Sequence, residues 1–255
     1  MPSDVYTFGD GAAAGHRLDL LAAVYEAPTR ALLARVPPAP GHAVDLGCGP
    51  GHSTLLVHAA TRAARTTGVE RSPSYLAAAR ERAVPGVTFV GADVTGPLPV
   101  EPADLVFARF LLTHLADVPG ALRTWAASLA PGGVLVLQES ARLVSREPAV
   151  ARYYELVAEL QQRHDQALDV GTALAGHAAA AGLTVEHAAV RPLRPRTAEM
   201  AALHVLNLRT WRHDERAATF DADELDALDD ALAAIARGAP SEPVEQDLAE
   251  LVVRA

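Results

Sequence analysis

The 255-residue sequence contains no lysine and only one cysteine, Cys48. Without a lysine, the chain cannot form a Schiff base with pyridoxal phosphate and cannot complete a P-loop. A single cysteine excludes a disulfide within the chain. No apolar run reaches the roughly 20 residues that span a bilayer, and the N-terminus has no signal-peptide pattern. We therefore expect a cytoplasmic protein without a membrane partner.

Positive charge is also scarce. The chain has 22 arginines against 31 acidic residues, a formal net charge of −9, and no basic run. Proteins that hold a phosphate backbone concentrate positive charge, so we expect no nucleic-acid partner. Half of the residues are hydrophobic, which is enough for one large α/β domain. The sequence does not determine the oligomeric state, and we expect a monomer or a homodimer.

Short apolar runs alternate with helical patterns through the first half of the chain. This alternation predicts βαβ units and a doubly wound parallel sheet. The predicted strands are 43–47, 66–70, 87–91, 103–108 and 133–139, and the helices between them are 52–65, 73–83 and 115–129.

The rest of the chain is less regular. We expect an N-terminal helical cap at 1–40, a core at 41–196 with a helical insertion at 142–168, a helical lid at 197–239 and a final core strand within 240–255. In the cap, the pattern predicts two helices, one over 17–25 and one that begins at Pro28. Further helices are expected at 148–166, 171–181, 198–213 and 222–237, with strands at 183–190 and 250–253.

Glycines at 47, 49 and 51 follow the first predicted strand and precede a helix. This order lets a ligand approach bare backbone at a helix start. A dinucleotide fingerprint needs a further glycine at position 52, where this chain has histidine. The turn therefore favours a smaller nucleoside ligand over a pyrophosphate.

Two carboxylates follow the next two strands. Glu70 ends the second strand, where it can accept hydrogen bonds from ribose hydroxyls; the alternative is an exposed loop residue. Asp93 follows the third strand, where it can accept from an adenine amino group; the alternative is an Asx turn.

The motifs Asp45–Gly51, Glu70, Asp93, 104–106 and 129–133 together resemble the ordered motifs of the class I S-adenosylmethionine-dependent methyltransferases, of the small-molecule type. The resemblance implies S-adenosyl-L-methionine as cofactor and a seven-stranded Rossmann-like sheet whose last strand is antiparallel. It assigns cofactor binding to Tyr6, Arg17, Asp45, Gly47, Cys48, Gly49, Glu70, Arg71, Asp93, Val94, Ala108 and Arg109. A lone cysteine suggests a nucleophile, but in this motif position we expect Cys48 to be small and buried.

Methyl transfer needs alignment and desolvation, whereas a base is optional. His114 is the candidate base; the alternative is that it packs the next helix. The chain lacks the Asn- or Asp-Pro-Pro-aromatic motif of some nucleic-acid methyltransferases, which favours a small-molecule acceptor. No metal site is expected, since His164-Asp165 has no convincing third ligand. Residues of the irregular regions that can face an acceptor are Tyr154, His164, Asn207, Arg209 and Trp211.

Two other functions stay open at this stage. A protein of the same fold can bind the cofactor without transferring a methyl group, and its cofactor motifs would look the same. A nicotinamide oxidoreductase is the other alternative, and His52 argues against it.

Overall fold

The computed structural model describes residues 12–255, with side chains described from Arg17 onward, so the prediction for Tyr6 lies outside the described residues. Its centre is one seven-stranded sheet in the order β3-β2-β1-β4-β5-β7-β6. The strands are β1 (His42–Leu46), β2 (Arg65–Glu70), β3 (Val87–Gly91), β4 (Ala103–Arg109), β5 (Leu129–Ser145), β6 (Thr184–Leu193) and β7 (Val244–Arg254).

Eight α-helices of the described chain flank this sheet. They are α1 (Ala12–Leu33), α2 (His52–Thr61), α3 (Pro73–Glu81), α4 (Val118–Ala126), α5 (Pro148–Gln162), α6 (Leu174–Ala180), α7 (Thr197–Trp211) and α8 (Ala222–Ala236). Short 3-10 helices lie at Leu112–His114, Val170–Ala173 and Glu215–Ala217. None of the helices in the described range is long and apolar enough to cross a membrane.

The predicted α/β class and the antiparallel last strand are confirmed. Strand β1 pairs in parallel with both β2 and β4, and β4 pairs in parallel with β5. Strand β7 is antiparallel to both of its neighbours, β5 and β6. The strand order reverses between β1 and β4, and open α/β sheets bind ligands beyond the carboxyl ends of the strands at such a point.

Several predicted boundaries are wrong, and strand β5 runs over Leu129–Ser145 rather than 133–139. The N-terminal region is a single helix, because α1 continues through Pro28 to Leu33 instead of restarting there. Buried Tyr25 and Leu32 lie on either side of Pro28, and their packing outweighs the lost backbone hydrogen bond. Strand β7 is also longer than expected, since ten of its residues pair with β5 over Leu135–Ser145.

The helices beyond the sheet form a core of their own. Helices α5, α7 and α8 bury a cluster that includes Tyr153, Leu208, Trp211 and Leu232. Leu21 and Val24 of α1 pack against this cluster, so α1 bridges it to the sheet. The division into cap, core and lid stays a prediction.

Candidate active site

The glycine turn after β1 has a backbone that other residues rarely adopt. Gly47, Gly49 and Gly51 all have positive φ, at 61°, 53° and 93°. A Cβ on Gly47 would come within 2.7 Å of Leu111 Cδ1, and one on Gly51 within 2.9 Å of Phe89 Cζ. Both the conformation and the lack of space therefore require glycine, which leaves bare backbone at the start of α2.

Asp45 ties this turn to the helix that follows it. Its Oδ2 accepts hydrogen bonds from Ser53 Oγ and Thr54 Oγ1, each at 2.7 Å. Burial raises the pKa of Asp45 to about 6, although the two hydroxyl hydrogen bonds act in the opposite direction. Asp45 lies in β1 below the turn, so its role in the structure is to hold the turn in place.

Glu70 lies at the end of β2 and is fastened to the same turn. Its Oε2 accepts from the backbone N–H of Gly49 at 2.9 Å, and its Oε1 accepts from the N–H of Ser72 at 2.8 Å. The residue is 9% exposed, so it is not a free loop carboxylate. The pairing of β1 with β2 brings it there, because Leu46 lies opposite Val69.

A cavity of about 170 Å³ opens beside the turn. One side consists of the turn and the end of β4, and α1 covers it with Leu18, Leu21 and Tyr25. The far wall is formed by α5 and α7 and contains Tyr153, Tyr154, Val157, Gln161, Met200, Leu203, His204 and Asn207. The cavity thus lies at the point where the strand order reverses.

Two arginines line the cavity on the turn and sheet side. Arg17, on α1, is 4% exposed. Arg109, at the end of β4, donates from Nη1 to Thr29 Oγ1 at 2.9 Å and to the carbonyl oxygen of Tyr25 at 3.4 Å. Burial lowers the pKa of Arg109, and the nearby Asp45 carboxylate offsets part of that effect. This side of the cavity is therefore suited to an anionic group.

The loop after β4 is held by the ring of Phe110 and by Glu139, a residue that was not predicted from the sequence. Phe110 has a φ of 52°, which is strained for a non-glycine residue, and its ring packs edge-on against Tyr25 at 4.7 Å. The buried carboxyl of Glu139, on β5, accepts from the N–H groups of Leu111 and Leu112 at 2.8 and 2.9 Å. Desolvation raises the pKa of Glu139 to about 8. No local sequence pattern marks Glu139, because its hydrogen-bond partners Leu111 and Leu112 lie in the loop after β4, far from it in sequence.

His114 lies at the end of the short 3-10 helix and lines the cavity. Burial, with Arg17 and Arg71 adding to it, lowers the pKa of His114 to about 3. Its carbonyl oxygen accepts from Gln166 Nε2 at 3.0 Å. A side chain with so low a pKa is a weak proton acceptor at neutral pH, so this geometry favours the packing alternative.

His52, at the position of the third glycine of a dinucleotide fingerprint, pairs with Asp19 of α1. Its Nε2 lies 2.6 Å from Asp19 Oδ1, and Asp19 also lies 3.6 Å from Arg82 Nη2. These partly exposed contacts fasten α1 over the turn.

Four other residues assigned to the cofactor do not line the cavity. Asp93 is exposed, and its Oδ1 accepts from the N–H and the hydroxyl of Thr95, each at 2.8 Å, which is the Asx turn of the alternative. Val94 is buried, and its carbonyl oxygen accepts from Trp125 Nε1. Arg71 is exposed, whereas Ala108 is fully buried in β4.

Cys48 lines the cavity and is 4% exposed. Burial, the largest cause, and the carboxylates of Asp45 and Glu70 raise the pKa of its thiol. The cysteine is small and buried, as predicted, and its thiol has no means of activation as a nucleophile.

The predicted acceptor residues divide into two groups. Tyr154 and Asn207 line the cavity. His164 instead lies 3.2 Å from Asp214, and Arg209 forms an ion pair with Asp229 at 2.8 Å on the surface between α7 and α8. Trp211 is fully buried against Tyr153 and Phe220. We therefore correct the acceptor set by removing His164, Arg209 and Trp211. Within residues 17–255, no group of three potential metal ligands comes together.

The sheet order, the antiparallel β7 and a cavity at the β1–β4 switch point define the class I methyltransferase fold. Residues 44–137 match the family model described as "Methyltransferase domain". The segment from β1 into β5 is thus similar in sequence to this family's methyltransferase domain, and the fold of the described chain is that of the class I S-adenosylmethionine-dependent methyltransferases.

Three similar proteins illustrate this relationship. Trans-aconitate 2-methyltransferase of Methylobacterium nodulans is 49% identical over 112 residues, which are 44% of this chain and 43% of the relative. Phosphoethanolamine N-methyltransferase 2 of Haemonchus contortus, solved with phosphomonomethylethanolamine and S-adenosylhomocysteine, superposes with a TM-score of 0.61 at 18% identity over 100% of this chain and 62% of that one. The [4+2]-cyclase SpnF superposes with a TM-score of 0.55 at 20% identity over 89% and 80% of the two chains.

The sequence match spans less than half the length of that curated relative. The family segment ends at residue 137, before the helices that form the far wall of the cavity. The match to the family model therefore covers the turn and the strands from β1 into β5 and does not extend to the acceptor wall.

Proposed function

We propose that this protein transfers the methyl group of S-adenosylmethionine to a small-molecule acceptor held in the cavity. The observation that carries the proposal is the position of the Gly47–Gly51 turn, with Glu70 bound to it, at one side of the cavity. The match to the methyltransferase domain supports S-adenosylmethionine as the cofactor, and the cavity offers a place for an acceptor beside it.

The residues present fit the cofactor. The glycine turn offers bare backbone, and a Cβ on Gly49 would lie only 3.3 Å from Leu18 on the covering helix. A carboxylate has about four acceptor sites. Glu70 uses two of them on backbone N–H groups, so the others are free for ribose hydroxyls. Arg17 lines the cavity beside the turn and would face the amino-acid carboxylate.

The remaining assignments to the cofactor are part of the same proposal. Asp93 and Val94 would flank the adenine, beyond the end of β3. Arg71 follows Glu70 on the exposed side of the turn. Ala108 and Arg109 end β4 next to the turn and would border the methionine side.

When bound, the cofactor supplies a methyl group on a positively charged sulfur. The chain's own contribution is to exclude water and to align the acceptor in line with the breaking bond. Leu18, Leu21 and Tyr25 of α1 cover the cavity for this purpose. Burial lowers the pKa of both His114 and His204 to about 3, so both rings are uncharged at neutral pH and are weak proton acceptors. We propose transfer by alignment, with the acceptor's proton released to water.

Trans-aconitate appears in the name of the curated relatives, but we do not propose it as the acceptor of this protein. The far wall lies outside the matched segment, and its residues decide what fits. We also propose a cytoplasmic location and no nucleic-acid partner, and the net charge of −9 supports the second of these. The likeness in fold to a cyclase favours one alternative, a same-fold enzyme that binds in this cavity without methyl transfer.

Calorimetry with S-adenosylhomocysteine tests the cofactor assignment. Charge-assisted hydrogen bonds contribute about 1.5–3 kcal/mol, so E70Q should weaken binding about ten-fold or more. The 2′-deoxyribose analogue separates ribose contact from loop damage, because it should bind E70Q and the native protein with a smaller difference. The exposed Glu81 provides the matched control, and E81Q should bind as the native protein does. Equal affinity of E70Q and the native protein would contradict the assignment.

A labelled transfer assay tests the reaction itself. Methyl-labelled S-adenosylmethionine is incubated with phenols, amines, amides and carboxylic acids, and label is followed into the small-molecule fraction. Label in any acceptor supports the proposal. Tight cofactor binding with no transfer to any acceptor would favour the non-methylating alternative.

A further inference from the structure

The far wall of the cavity contains three buried polar side chains with unsatisfied atoms. Gln161 is 0%, His204 4% and Asn207 8% exposed, and all three line the cavity. Among the described residues, no hydrogen-bond partner reaches Gln161 Oε1, Asn207 Oδ1 or His204 Nδ1. Asn207 is also the only asparagine in the sequence.

The orientation of the Gln161 amide follows from its other contacts. Its Nε2 donates to the carbonyl oxygen of Thr113 at 3.4 Å and to the Thr113 hydroxyl at 3.2 Å. A carbonyl oxygen only accepts, so the NH₂ group must face Thr113. The unsatisfied atom is therefore the amide oxygen, which is an acceptor.

The aromatic neighbours hold His204 in a fixed position. Its ring stacks on Tyr153 with centroids 4.2 Å apart, and its Nε2 lies 3.1 Å from the hydroxyl of Tyr154. The pKa of His204 is lowered by burial, so the ring is neutral and adds no charge to the wall. Buried polar atoms normally find partners, and leaving one without a partner is destabilising. A ligand that donates hydrogen bonds would remove this cost.

Charge separates the two sides of the cavity. The lining residues from α5 and α7 include no arginine and no acidic residue, whereas Arg17 and Arg109 lie on the turn and sheet side. Helix α7 has one arginine, Arg209, and it pairs with Asp229 at the surface instead of lining the cavity. Arg17 is the lining cation whose charge reaches this wall, at Tyr153, so a molecule with several carboxylates would leave part of its charge desolvated without a cation, which is costly.

We propose that the acceptor is an uncharged organic molecule whose hydroxyl, amine or amide N–H groups donate to Gln161 and Asn207, rather than a polycarboxylate. Its apolar body would pack between Leu203 and the Tyr153–Tyr154 pair. This inference rests on the proposed methyl transfer. In that step the acceptor oxygen or nitrogen forms a bond to the methyl carbon, the carbon–sulfur bond breaks, and the proton of the acceptor passes to water.

The test uses two variants and one control in the full chain. N207L and Q161L each remove an unsatisfied acceptor, and Q162L changes the exposed neighbour of Gln161 on the same helix. For an uncharged acceptor, N207L should raise KM about ten-fold, the equivalent of one hydrogen bond. Its affinity for S-adenosylhomocysteine should stay within about two-fold, although its melting temperature should fall because N207L also removes a hydrogen bond to the buried Tyr153 hydroxyl. Q162L should match the native protein in every measurement.

One panel of compounds, compared by methyl transfer and by binding, determines the chemical class of the acceptor. Phenols, aryl amines and amides are compared with trans-aconitate and other polycarboxylates, both for methyl transfer and for binding to the protein saturated with S-adenosylhomocysteine. Transfer to, or binding of, the uncharged compounds with loss in N207L supports the inference. Polycarboxylates that bind better, with no effect of N207L, would overturn it. Binding of uncharged compounds without transfer would contradict only the proposed reaction.

Discussion

Replacing Glu139 with glutamine should remove a pH-dependent loss of stability. Glu139 is completely buried on β5, and one of its oxygens accepts from the N–H groups of Leu111 and Leu112. The other oxygen, Oε2, has no hydrogen-bond partner among the described residues. Glutamine keeps an oxygen for the two N–H groups and has no charge, so E139Q isolates the effect of ionisation.

The expected magnitude follows from the pKa. Burial raises the pKa of Glu139 from its ordinary 4.5 to about 8 in the folded protein. Between these values the unfolded chain releases the proton while the folded chain keeps it, so the contribution of Glu139 to stability is greatest below pH 4.5 and is lost as pH rises towards 8. The slope is about 1.4 kcal/mol per pH unit, or about 3 kcal/mol between pH 5 and pH 7.

Urea denaturation at pH 5, 6 and 7 measures this difference. The free energy of unfolding of E139Q minus that of the native protein should rise by about 3 kcal/mol over this range, because only the native protein has the buried carboxyl. E81Q, which changes an exposed carboxyl on α3, controls for general effects of removing a charge. A difference that stays constant with pH would refute the account of Glu139 as a buried, protonated support of the loop.

Three further outcomes are expected. G47A should lower the free energy of unfolding by at least about 1–2 kcal/mol and weaken cofactor binding in calorimetry, since φ is positive and the new Cβ would clash with Leu111. G176A, at an open helical position, should instead be neutral or stabilising; the account of the turn fails if the two variants behave alike. H52A should weaken S-adenosylhomocysteine binding by about two- to five-fold, because it removes a partly exposed contact between α1 and the turn; an unchanged dissociation rate would rule out this fastening. R209A should leave the KM of every acceptor unchanged, since Arg209 pairs with Asp229 outside the cavity, and a raised KM would return it to the acceptor site.

The turn and the sheet were predictable because their signals are local. Glycines at alternate positions after an apolar run fix the conformation of the turn within a few residues. Glu70 follows the next strand, and parallel pairing of neighbouring strands brings their carboxyl ends together. The family resemblance indicated the antiparallel last strand, although not its length, which is set by pairing with residues 99 to 118 positions away.

The acceptor wall could not be predicted to the same degree. Helical periodicity groups His204, Asn207 and Trp211 on one face of α7, but it does not say where along that face the cavity ends. In the structure the cavity reaches Asn207, and Trp211, one turn further on, packs against Tyr153 and Phe220. Gln161 and Glu139 carried no motif, and their roles depend on contacts with distant parts of the chain.

Helix α1 shows that a proline does not always mark the start of a helix. Pro28 suggested a helix start, yet α1 continues through it because tertiary packing on both sides outweighs the local preference. This continuous helix is what places Arg17, Leu18, Leu21 and Tyr25 over one cavity.

A crystal structure with S-adenosylhomocysteine tests the central claim most directly. The account predicts the ribose hydroxyls on Glu70, the amino-acid carboxylate beside Arg17, and the sulfur facing the cavity towards Asn207 and Gln161. A ligand that leaves Glu70 uncontacted, or whose sulfur faces away from the α5–α7 wall, would contradict it.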